Sequence, residues 1–92
     1  MSEYSIVVCV WNDAVSFRNA DLEEIGDEKG QLRITIGLLR RDTKDFVLIQ
    51  SDAEPQNMQK LTKSIKIPKS LIVQLKKVNT LEINEIIKGE ED

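Results

Sequence analysis

Residues 34–49 read ITIGLLRRDTKDFVLI, two aliphatic runs separated by the polar hexapeptide RRDTKD, and an antiparallel hairpin is the simplest structure for that order. Leu32, Ile34, Ile36 and Leu38 alternate with Arg33, Thr35 and Gly37, the period of two of a strand with one buried side. RRDTKD supplies the turn and DFVLIQSD the returning strand. Strict alternation places Ile34, Ile36, Leu38 and Leu48 on one side of the hairpin and Leu39 and Ile49 on the other. We therefore expect the first set to fill a core and the second to meet something else near the hairpin tip. Gly37 within the alternating run predicts a bend or bulge.

The rest of the chain supplies partners for the hairpin. Ile6–Trp11 is β-branched and aromatic and ends at Asn12-Asp13, which predicts a first strand with Val7, Cys9 and Trp11 on one face and Ile6, Val8 and Val10 on the other. Both faces are apolar, so both are expected to be covered. A long acidic connection follows, with Asn19 or Asp21 able to cap a short helical turn through Leu22 and Ile25, and Gly26 to stop it. Val15, Phe17, Leu22 and Ile25 are expected to fold this connection over the rest. Beyond the polar loop SDAEPQNMQKLTK, the sequence SIKI predicts a strand ending at Pro68. Leu71, Ile72, Leu75 and Val78 then fall at helical spacing within Lys69–Val78. TLEINEII reads as a last strand or a continuation of that helix, and its β-formers Thr80, Ile83, Ile86 and Ile87 favour the strand.

Five short strands and one short helix, without βαβ alternation, predict a mainly β domain over residues 1–88 followed by the acidic tail 89–92. The order of strand, long loop, hairpin, strand, helical turn and strand is the plan of a five-stranded antiparallel SH3-like or Sm-like barrel. So small a barrel leaves edges that are covered by oligomerising or by accepting a partner strand, so a homo-oligomer is expected.

Catalysis finds little material. The 92 residues include no histidine, so the commonest general base near neutral pH is missing. The single cysteine, Cys9, lies inside IVVCVW and is expected to pack as a small hydrophobe, which suits a reducing interior. Asp42, Asp45 and Asp52 do not have the spacing of a calcium loop and read as turn and surface residues, and there is no glycine-rich phosphate loop. The expectation is a non-enzymatic protein without cofactor or metal. The start MSEYSIVVCVW lacks the basic region and cleavage site of a secretory signal, and no stretch approaches the ~18 apolar residues of a membrane span, so a cytoplasmic location and no membrane partner are expected.

The net charge of −3 conceals a split. Residues 55–81 carry Lys60, Lys63, Lys66, Lys69, Lys76 and Lys77 and no acid, whereas residues 12–31 and 82–92 are acidic. Two binding classes follow. Protein binding, to a partner or to itself, would use Leu39, Arg40, Arg41 and Ile49 on the hairpin with Asp21, Glu23 and Glu24 of the first loop. Nucleic-acid binding is the alternative: the six lysines, joined by Arg40 and Arg41, would line one rim and displace counterions from a phosphate backbone. At 4% aromatic content, with Tyr4, Trp11, Phe17 and Phe46 reading as core, the chain has little to stack bases on.

Two resemblances rest on these residues. ITIGLLRRDTKDFVLIQSD resembles the first signature of Sm and Sm-like proteins, a strand bearing a glycine (Gly37) that runs to an aspartate (Asp42) and then to a strand of large apolar residues (Phe46–Ile49). The asparagine with which that family holds a base has no counterpart beyond Asp45, and no Arg-Gly pair follows SIKI. About 80 residues are also similar to a loose set of small phage-encoded proteins. The similarity rests on Trp11-Asn12-Asp13 ending the first strand, Gly37-Leu38 in the hairpin, and Ile67-Pro68-Lys69 leading into Leu71, Ile72 and Leu75. That resemblance implies a protein made during infection that binds and alters a host protein.

Overall fold

The structure is a computed structural model, and it describes residues 3–13 and 31–84. Five strands form one antiparallel sheet: β1 (Glu3–Asp13), β2 (Gln31–Asp42), β3 (Phe46–Gln50), β4 (Ser64–Pro68) and β5 (Ile72–Glu82). A single 3-10 turn, Lys69–Leu71, joins β4 to β5. The strand order is β4-β3-β2-β1-β5, so the chain makes a meander from β1 to β4 and then crosses to the far side of β1.

The predicted hairpin is present with a tighter turn than RRDTKD, because β2 runs on to Asp42. The Thr43 hydroxyl oxygen accepts from the backbone N–H of Asp45 and Phe46 at 3.2 and 3.0 Å, and the Thr43 N–H donates to Phe46 O at 2.9 Å. Three residues thus close the turn by side-chain to backbone bonding.

The helix expected over Lys69–Val78 is corrected to one 3-10 turn followed by strand β5. Spacing alone did not separate the two, because register shifts beside Val73 and Val78 stretch a period-two pattern toward a helical one. Pairing with the open side of β1 decided it, setting Leu75 opposite Cys9 and Ile72 opposite Trp11. Of TLEINEII, Thr80–Glu82 ends β5 and Ile83 begins a helical turn, while residues 85–87 lie outside the described residues. The acidic connection 14–30 and the tail 89–92 also lie outside them.

Curvature follows from connectivity. Five flat strands place the outer two ~19 Å apart, whereas the four residue steps from Pro68 to Ile72 reach at most ~14 Å. The sheet therefore curls, bringing its edges near one another at the 3-10 turn. Among the described residues no ladder joins β4 to β5, so the pairing establishes one open five-stranded antiparallel sheet.

The concave side holds the core: Val7, Cys9 and Trp11 of β1 pack with Val47 and Ile49 of β3 and Ile67 of β4, and Leu39, Ile72 and Leu75 lie against them. Residues directly paired across the sheet share a face. On β2 the inner positions opposite Val7, Cys9 and Trp11 are Gly37, Thr35 and Arg33. The Trp11 indole Nε1 donates to Thr35 Oγ1 at 2.9 Å. The apolar residues Ile34, Ile36 and Leu38 consequently take the other side, where Ile34 and Ile36 are exposed and Leu38 is buried as expected.

This inverts the expected sides of the hairpin. Ile49 is 1% exposed and Leu39 packs against the core, whereas Ile34 and Ile36 are 67% and 57% exposed. Period two says which residues share a side, not which side is inward. A bulge at Arg40, between the pairs Leu39–Ile49 and Arg41–Leu48, further resets the alternation.

Candidate protein-binding face

The outer side of β1 and β2 carries a continuous apolar strip. Ile6 pairs with Leu38, Val8 with Ile36, Val10 with Ile34 and Asn12 with Leu32. Along β2, Leu32, Ile34 and Ile36 are 60%, 67% and 57% exposed, while Val8 and Val10 beside them are half-buried. From Leu32 to Leu38 the strip is ~20 Å long at the usual rise of a strand. A row of exposed apolar residues, unlike a lone surface leucine, is a candidate for an interaction surface.

At its Leu38 end the strip opens into a pocket of about 270 Å³ between the sheet, the loop 51–63 and the start of the last helical turn. Ile6, Leu38, Pro55, Met58, Leu81 and Ile83 give it an apolar wall. Gly37 forms part of the lining, and β3 runs close beside it: a Cβ on Gly37 would stand 2.3 Å from the Gln50 carbonyl oxygen.

The loop is tied down from below by Gln50, which is 1% exposed. Its amide Nε2 donates to the carbonyls of Lys60 and Thr62 at 3.0 and 2.9 Å, and its Oε1 accepts from the Arg40 guanidinium. Arg40 also donates to the Met58 carbonyl and lies 5.0 Å over the Tyr4 ring. The bulge frees this arginine from the ladder, and every partner it finds is internal. Lys63 closes the loop at φ 53, its carbonyl accepting from the Ser51 N–H and hydroxyl at 3.0 and 3.1 Å.

Most residues singled out from sequence are placed elsewhere. Leu39 and Ile49 belong to the core, Arg40 to the loop anchor, and Arg41 is exposed opposite Leu48. Asp21, Glu23 and Glu24 lie outside the described residues. The lysines do not form one row. Lys60 pairs with Glu54 at 3.7 Å, Lys69 with Asp42 at 2.6 Å, and Lys66 lies 4.3 Å over the Phe46 ring on edge strand β4. Lys76 and Lys77 are on β5, the opposite edge in strand order, and point to opposite faces. Cys9 is fully buried, and burial pushes its thiol above the ordinary value of 9.0.

Sequence reasoning had Leu32, Ile34 and Ile36 in hand but assigned them inward, read Tyr4 only as core, and passed over Gln50 and Met58. A glutamine ending the run FVLIQ was the available signal for an internal tether. Among the described residues no helix is long and apolar enough to cross a membrane. No family model matches the chain, and neither do the curated proteins or the solved structures with which it was compared.

Proposed function

We propose that the chain is a non-enzymatic protein-binding module whose contact surface is the outer side of β1 and β2. The exposed strip Leu32, Ile34 and Ile36, continuous with the apolar pocket, carries this reading. An extended segment lying along the strip would seat one apolar side chain in the pocket. The strand order, with a 3-10 turn leading from one edge to the other, supports an SH3-like barrel plan beneath that surface. The resemblance to small phage-encoded proteins supplies the setting, a host protein as target in the cytoplasm of an infected cell. Binding nucleic acid through the lysines is the weaker reading, because three of the six are engaged within the chain and the others are divided between the loop and β5.

The test is a photo-reactive residue placed at Ile34 in one preparation and at the exposed Gln59 in another, irradiated in the producing cell. A discrete protein adduct from position 34 and none from 59 is expected. No adduct at 34, with oligonucleotide binding at low salt that Lys66→Glu with Lys76→Glu removes, would overturn the proposal in favour of nucleic acid.

A further inference from the structure

Three strand edges lack a partner among the described residues: the outer sides of β4 and β5 and, because β3 pairs with β2 only from Leu38 onward, the Gln31–Ile36 half of β2 on the side away from β1. An open edge accepts any strand that reaches it, and folded proteins blunt such edges with short length, lysine, proline or bulges. Strand β4 has five residues, among them Lys66 and Pro68. Strand β5 carries Lys76-Lys77 near its middle and is interrupted by two register shifts. The half-edge of β2 is the least guarded of the three, with one charged residue in six. Its ladder with β1 runs unbroken from Leu38 to Gln31 without lysine or proline, and its one charge, the exposed Arg33, is paired with Asp13 at 3.6 Å.

We infer that this half-edge pairs with the same segment of a second copy, antiparallel about a two-fold axis at Ile34. The inference rests on the protein-binding reading above and adds a second copy of the chain to the partners of that surface. The segment is complementary to itself in that register: Ile34 stands opposite Ile34, Leu32 opposite Ile36, and Arg33 opposite Thr35, so apolar meets apolar and no like charges face each other. A two-fold axis through the middle of β5 would instead set Lys77 against its own copy. Pairing through β2 extends the sheet into the second molecule, satisfies the outward backbone groups of Gln31–Ile36, and joins the two exposed strips side by side into one apolar surface.

The full chain is examined by sedimentation equilibrium over a range of concentrations, with Ile34→Lys as the variant that places an ammonium on the axis. The wild type is expected to be a dimer that dissociates on dilution, and Ile34→Lys a monomer with an unchanged circular dichroism spectrum. Independent of folding losses, Ile34→Cys should form a covalent dimer under mild oxidation, because Cβ atoms opposed across antiparallel strands lie ~5 Å apart. Gln31→Cys should not, since its copy would lie ~20 Å away across the axis. A monomer at every concentration, a dimer indifferent to Ile34→Lys, or equal cross-linking at both positions would overturn the inference. In the monomer case, a photo-adduct from position 34 to a different protein would leave the protein-binding reading standing, and no adduct would remove both.

Discussion

Replacing Gln50 by methionine should loosen the loop that walls the pocket. Methionine keeps the length of glutamine but returns none of the three hydrogen bonds that the amide makes, two given to the carbonyls of Lys60 and Thr62 and one accepted from Arg40. A neutral hydrogen bond contributes ~1 kcal/mol net and one to a charged group ~1.5–3 kcal/mol. Arg40 retains the Met58 carbonyl and the face of Tyr4, and Lys60 and Thr62 are exposed residues whose carbonyls can regain water. The three bonds sum to ~3.5–5 kcal/mol, and this recovery brings the loss below that, to ~2–4 kcal/mol. For a domain of ~5–15 kcal/mol total stability this lowers the folded-to-unfolded ratio about 30- to 1,000-fold. It also lowers the melting temperature by ~8 °C or more. Urea denaturation and thermal melts of the two proteins measure the first effect, and limited proteolysis of loop 51–63 measures the second, since an untethered loop is cut faster. A stability change below ~0.5 kcal/mol, the level of an ordinary surface substitution, would refute the tether. So would a loop no more susceptible to protease than in the wild type.

Gly37→Ala should destabilise by ~1–3 kcal/mol, because the added Cβ would meet the Gln50 carbonyl oxygen at 2.3 Å and the obstacle is backbone, which can yield only by opening the hairpin. Unchanged stability in urea would remove the close approach from the account. Cys9 should resist thiol reagents until the chain is unfolded, because it is fully buried and its thiol is held above its ordinary value by desolvation. A raised folded-state value stabilises the protein below 9.0, and that contribution is lost as the pH climbs past 9.0 and the unfolded chain ionises first. The stability of the wild type should therefore decline more steeply across that value than that of Cys9→Ala, and parallel pH profiles would refute it.

The sequence by itself determined the strand-forming segments. Ile6–Trp11, Leu32–Leu38, Phe46–Gln50 and Ser64–Ile67 all lie within strands, because β-branched and aromatic residues in runs bounded by polar turns have no better local conformation. It also determined that Cys9 is buried, since that follows from the apolar run around it, whereas the bulge expected at Gly37 falls instead between Leu39 and Arg41. Only the tertiary structure decided which side of each strand faces in. The alternating residues of β2 are symmetric with respect to that choice, and it was made by Trp11, which fills the concave side and bonds Thr35, leaving the room there to Gly37 and Thr35 rather than to Ile34 and Ile36. The same holds for residues 72–78, whose spacing suits a helix until the unoccupied side of β1 offers a ladder of backbone hydrogen bonds along its length. The exposed strip Leu32, Ile34 and Ile36 is a product of that second kind of decision: its residues are ordinary strand formers, and they became a surface because the core took the other side.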